Sequence, residues 1–204
     1  LSPRDVLALD PTDGTAWLAQ AAVQPDQRDA LLRAATAPGL RFRDWGDALP
    51  EVVAAAMPEG LPAYLQVDLH VLSLGIEAAR PDPPGWQLLM HCRGKALEAR
   101  ELRALCQSVA QALTERSDSF SSLFAGAALA RNLGWPAAEL ARLNDEAAQA
   151  LRVLEASFDA AQPYTCASVS ALRNLVRDRA RWGDLGVARR LSAAQTAGAP
   201  EPAR

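Results

Sequence analysis

Leu102-Arg103-Ala104-Leu105-Cys106-Gln107-Ser108-Val109-Ala110-Gln111-Ala112-Leu113 is the stretch whose reading decides the fold. Leu102, Leu105, Cys106, Val109 and Leu113 recur at i, i+3, i+4, i+7 and i+11, which is one face of a 3.6-residue helix and not the alternation of a strand. The period resumes after Ser117-Asp118 with Phe120, Leu123, Phe124 and Ala127. The spacing therefore predicts a helix over 96–116, a cap at Ser117 or Asp118, and a second helix to Leu133. Gly134 reads as the cap that ends it, and Pro136 as the start of a further helix in which Leu140, Leu143, Ala147, Leu151, Leu154 and Phe158 repeat. Short turns between amphipathic helices make neighbours antiparallel, so 96–116 pairs with 118–133, and 136–160 with 167–182.

Composition extends this reading to the whole chain. The 204 residues include 43 Ala and 30 Leu against 11 Val and one Ile. Good helix formers dominate and sheet formers are scarce, so the fold is expected to be all-α. Half the residues are hydrophobic and the net charge is −3, which excludes disorder as the main state. No apolar run approaches the roughly 18 uncharged residues that a membrane span needs. Lys95 is the single lysine among 21 basic residues, and with the alanine excess this fits a GC-rich, bacterial coding genome.

Breakers cut the remainder into helices. Asp10-Pro11-Thr12-Asp13-Gly14 predicts a turn and then a helix over 15–23, and Gln24-Pro25-Asp26 starts another to residue 36. A segment over 43–57 is interrupted at Pro50, with Asp47 as its candidate cap. Helix 61–80 is the most apolar: Leu65, Leu69, Leu72 and Ile76 form one stripe, and Tyr64, Val67, Val71 and Leu74 a second. Two stripes predict burial from two sides, in the middle of the fold. Asp82-Pro83-Pro84-Gly85 then breaks the chain before a short helix over 86–93. After Pro163, helices are expected over 167–182 and 184–194, followed by a frayed tail over 195–204. The sum is one domain over 1–194, about ten helices in antiparallel hairpins, on the plan of an α-solenoid.

Leu7-Ala8-Leu9-Asp10-Pro11-Thr12-Asp13-Gly14-Thr15-Ala16-Trp17 resembles the junction between tetratricopeptide repeats, where a helix ends in a Leu-x-x-Asp-Pro turn and the next opens with Trp. The resemblance covers about one junction. Gln20 and Ala21 stand where the family pattern has Leu and Gly, and the second helix comes too early for a repeat of about 34 residues. It implies a scaffold of stacked helix pairs whose concave face takes peptides or proteins, and it carries over no binding residue. Residues 1–9 read as the tail of a helix whose hairpin partner is missing, so the chain is expected to be the C-terminal part of a longer array.

Few residues carry chemistry. Cys92, Cys106 and Cys166 are odd in number and lack a short pairing motif, which favours a reducing compartment and the cytoplasm over the periplasm. One bridge plus one free thiol is the alternative. His91-Cys92 is the densest reactive cluster, but adjacent helix residues point about 100° apart, so a nucleophile and base do not face each other there. Gly94-Lys95 lacks the flanking residues of a phosphate loop. His70 follows Asp68 by two, which does not place them on one face. His70, His91, Cys92 and Cys106 lack zinc-ligand spacing, so no metal and no cofactor is expected, and the cysteines and histidines read as packing residues. Glu98, Glu101, Asp145 and Glu146 read as surface carboxylates. Trp45-Gly46-Asp47 and Trp182-Gly183-Asp184 read as helix corners: an aromatic plug, a turning glycine and a capping aspartate.

Charge is uneven, with a net of −6 over 1–90, −1 over 91–170 and +4 over 171–204. Arg173, Arg177 and Arg181 are thus candidates for contact with an acidic partner or nucleic acid, although Asp178 and Asp184 among them also suit a solvated face. Trp182 is the lone aromatic nearby, which argues against nucleic acid. The leading expectation is a non-enzymatic scaffold that binds protein or peptide. The alternative is a helical enzyme or small-ligand binder with a pocket beside helix 61–80, using Asp68, His70, His91 or Cys92. An acidic partner or nucleic acid at the C-terminal arginines is the second alternative.

Overall fold

The computed structural model describes residues 2–23, 27–38, 40, 49–78, 91–161 and 165–198. Among them lie nine α-helices: α1 (Pro3–Leu9), α2 (Gly14–Val23), α3 (Arg28–Thr36), α4 (Leu49–Ala56), α5 (Ala63–Ala78), α6 (Arg100–Glu115), α7 (Phe120–Leu133), α8 (Ala137–Ala161) and α9 (Cys166–Gly198), with a 3-10 turn at Gly94–Glu98. There is no strand among these residues, so the all-α expectation holds. Residues 86–90 of the expected helix over 86–93 and the Trp45-Gly46-Asp47 corner lie outside the described residues, and Cys92 and Arg93 are not helical. Two compact units emerge, Leu1–Arg43 with Pro81–Ala147 and Asp44–Arg80 with Ala148–Arg204.

The first unit begins at a capping box. The Ser2 hydroxyl accepts the Asp5 N–H at 3.3 Å while the Asp5 carboxylate accepts the Ser2 N–H at 2.7 Å, so α1 opens at Pro3 as a short helix in its own right. The turn after it is built as its sequence predicts. Asp10 accepts the Thr12 hydroxyl and N–H, and Asp13 accepts the Thr15 and Ala16 N–H groups to start α2. Trp17 donates its indole N–H to the Pro11 carbonyl at 2.8 Å, with Arg33 stacked on its ring.

α6 is the centre of this unit. It packs on α7, on α3 and on the 3-10 turn, and its Cys106, Val109, Ala110, Ala112 and Leu113 are buried. The α6–α7 pairing agrees with the hairpin predicted from sequence. The α3–α6 pairing joins helices about 70 residues apart in the chain and has no sequence signature. Its core includes Leu18, Leu31, Leu113 and Leu129, all essentially inaccessible to solvent. Burying each such leucine is worth about 1.5–3 kcal/mol. The exposed Arg28–Glu101 pair between the same helices, at 2.8 Å, contributes at most about 1 kcal/mol, so packing and not charge holds α3 on α6.

The ends of these helices explain where boundaries depart from expectation. Arg116 reaches back to the C-terminus of α3, donating to the carbonyls of Ala37, at 2.7 Å, and Ala35. A cation there satisfies orphan carbonyls and suits the helix dipole. Leu40 pairs with Ser117 beside it. Because residues 116 and 117 are engaged with the α3 end, α7 starts later than expected, with Ser119 and not Ser117 or Asp118 as its cap. Gly134, with φ 77°, ends α7 in the left-handed conformation expected of it.

The second unit contains α4, α5 and α9, each packed on the other two. Val67 of α5 meets Val169 and Leu172 of α9, with Phe158 of α8 against them. The extended hairpin expected between 136–160 and 167–182 is not among the principal packed pairs of the described residues. α9 is two helical stretches run together: Gly183, at φ 71° and ψ 168°, interrupts it where the sequence separates 167–182 from 184–194. Asp184 accepts the Leu185 N–H at 2.7 Å, and Arg181 and Arg190 stack on Trp182.

The tightest approach in the first unit predicts a large effect from a small substitution. A Cβ on Gly126 meets Leu113 Cβ and Thr114 Cγ2 at 2.8 Å, and the Thr114 backbone nitrogen at 3.1 Å. Gly126→Ala is expected to destabilise the unit by about 1–3 kcal/mol in urea unfolding. Its near-neighbour control, Gly134→Ala, has open space around the added methyl and loses only the backbone preference, about 1 kcal/mol. A Gly126→Ala variant as stable as wild type would show that α6 and α7 do not approach this closely.

Candidate functional site

α5 turns its faces the opposite way from a helix in the middle of a fold. The buried side is narrow: Val67, His70, Ser73 and Leu74. Tyr64, Leu65, Leu69, Val71, Leu72 and Ile76 are instead 37–60% exposed, so the two-sided burial expected of 61–80 is not found. At 100° per residue these six, with Asp68 and Gly75, span about 160° of the helix circumference. Asp68 is the one charged side chain within that sector, and it is exposed. An apolar helix face of this width on the outside of a domain is unusual, because such faces normally mark contact with a partner.

His70 lies on the other side of the helix, fully buried, with neither ring nitrogen hydrogen-bonded among the described residues. Burial, and secondarily the Arg173 guanidinium, hold its pKa below the ordinary histidine value. Asp68 and His70 thus occupy opposite faces of α5, as their spacing requires. Arg173 donates to Gln66 at 3.0 Å, and Arg177 to Asn174 at 3.5 Å. Both arginines line a cleft of about 360 Å³ with Glu51, Ala54, Ala55 and Val176. No α5 residue lines that cleft, so it is not the pocket expected beside helix 61–80. Arg181, the third candidate, lies over the Trp182 ring, 4.9 Å from its centroid.

In the first unit, His91 shares a hydrogen bond with the Gln27 side chain at 3.1 Å. Cys92 is bonded to Cys106 in a disulfide buried within the core, and Cys166 is the free, exposed cysteine. One bridge plus one free thiol is the alternative that the cysteine count leaves open; the pairing corrects the reading of Cys106 as a plain packing residue and removes the ground for favouring a reducing compartment. The two lie fourteen positions apart, so no compact motif announces the pair. Closing Cys92 onto Cys106, nearly two turns into α6, folds the preceding segment back over the helix. Residues 94–98 therefore form a 3-10 turn instead of the straight N-terminal extension of α6 that was expected. A sulfur held in that bond offers no thiolate, so Cys92 is not a nucleophile in this state. Trp135, near it, donates to Gln107 at 3.0 Å, which fits the corner role expected of the tryptophans.

Among the described residues no three histidine, cysteine or acidic side chains form a group that could hold a metal, and no helix is long and apolar enough to cross a membrane. Comparison with family models, curated proteins and solved structures finds no match. What is established is an all-helical protein whose helices pack mostly on their neighbours along the chain.

The disulfide closes a loop of 14 residues through the main core. Reduction, or the Cys92→Ala/Cys106→Ala double variant, is expected to lower the stability of the first unit by about 2–4 kcal/mol. Urea unfolding with and without reductant measures it, and an unchanged midpoint after complete reduction would show that the bridge is not holding the core.

Proposed function

We propose that this chain is a non-enzymatic helical scaffold that binds protein or peptide. The exposed apolar face of α5 carries the proposal. A row of large apolar side chains on one helix gains most by receiving an apolar surface from elsewhere, in the manner of helix-in-groove recognition. The bonded state of Cys92 and the absence of a hydrogen bond between His70 and any described residue favour binding over catalysis. The turn at 7–17, with its aspartate-capped second helix and anchored Trp17, supports the further reading of a degenerate tetratricopeptide-like array.

Leu69→Glu/Leu72→Glu is expected to keep the helical circular dichroism of the wild type, because both side chains are already exposed, and to lose a partner that the wild type retains from lysate of the source cell. A partner retained equally by both proteins would place the binding elsewhere. The cleft between α4 and α9 favours a second reading, contact with an acidic group through Arg173 and Arg177. Arg173→Glu/Arg177→Glu should then abolish a contact that already weakens as salt rises, whereas loss of a salt-insensitive contact would count against it.

A further inference from the structure

We propose that the second unit carries an acid-sensitive latch, in which His70, buried on the packed side of α5 with neither ring nitrogen bonded among the described residues, can take up a proton only when α5 moves away. The inference stands independently of the binding role proposed for the outer face of α5.

The argument begins with what a neutral imidazole needs, one partner for its N–H and one for its bare nitrogen. His70 is 0% exposed and has neither among the described residues, so its site is already unfavourable for a polar ring. It shares a face with Val67 and Leu74, at spacings of three and four, and Val67 packs on Val169 and Leu172 of α9. An imidazolium in the same place would leave two donors unsatisfied and bury a charge.

Among the described residues, no group offers that charge relief. Arg173 of α9 is the charged group that acts on the ring, and it is cationic. Asp68 lies on the opposite, exposed face of α5, and Glu51 of α4 lines the cleft with Arg173 and Arg177. Glu155 and Asp159 of α8 are exposed. Protonation is therefore coupled to opening, because only water can solvate the second N–H and the charge.

The direction of the pH effect follows. In the opened or unfolded chain the imidazole titrates near its ordinary value of about 6.5, whereas in the closed unit its pKa is lower. The stability that this difference represents is fully present above about pH 6.5 and is lost as pH falls towards the closed-state pKa. One proton taken up on opening raises the opening constant by at most about tenfold per pH unit. The ordinary carboxylate values of about 3.9 for Asp and 4.3 for Glu lie below this window. Asp5 and Asp10, whose pKa values are lowered further by hydrogen bonds to Ser2 and Thr12, titrate lower still.

Amide hydrogen exchange on the full chain between pH 7.5 and 5, corrected for the intrinsic pH dependence of exchange, tests the latch. Segments 63–74 and 169–176 are expected to lose protection below pH 6.5, approaching tenfold per unit, while 105–113 in the first unit holds its protection. His70→Leu and His70→Gln remove the titrating group and should each abolish the acid loss, and His91→Gln should preserve it. Protection of 63–74 that is flat from pH 7 to 5 in the wild type overturns the proposal even if neither His70 variant folds. So does an acid loss that persists in a folded His70 variant.

Discussion

The first unit depends on a single constraint: α6 must be buried on more than one side at once. α3 and α7 both lie against it, and the 3-10 turn covers its first half. Small residues make this possible. Ala110 and Ala112 on α6, and Gly126 and Ala125 on α7, keep the helix surfaces thin enough for close contact, while Leu113 and Leu129 fill the remaining volume. The Cys92–Cys106 bridge then ties the covering turn to the same helix from inside the core. Arg116, at the end of α6, completes the arrangement by capping the carbonyls that α3 leaves open. Each of these contacts presupposes α6 in the centre.

The second unit obeys a different balance. α5 buries a strip that includes a histidine and a serine and leaves its richer apolar face in solvent. The hydrophobic effect alone would favour the opposite orientation. Val67 packs on Val169 and Leu172 of α9, but the site around His70 gives back part of what that burial contributes. The result is a helix with a buried polar ring beneath it and an apolar surface above.

Much of the architecture could be read from residue spacing. The stripes at 102–113, 120–127 and 140–158 located α6, α7 and α8, Gly134 marked the end of α7, and Asp10-Pro11 with Asp13 marked the start of α2. Periodicity reports that a helix has an apolar face, and with α5 this was misleading, because two apolar stripes look the same whether one or both are covered. The cysteine count left room for one bridge but not for its partners, since two cysteines fourteen residues apart meet only if a turn folds back on the helix. Nor did the candidate residues declare their environments. Asp68 and His70 differ by two positions in sequence, and only their faces distinguish an exposed carboxylate from a sealed imidazole.

Local chemistry thus specified the helices: alanine and leucine set their propensity, proline, glycine and capping side chains set their ends, and 3.6-residue spacing set their apolar faces. These are properties of contiguous residues, which is why they can be read in one dimension. The packing of α3 on α6, the pairing of Cys92 with Cys106, the capping of α3 by Arg116 and the choice of which face α5 hides were settled only in three dimensions. Each is a contact between distant segments, selected because it buries more surface or satisfies more polar groups than the alternatives. No stretch of sequence contains both partners of such a contact.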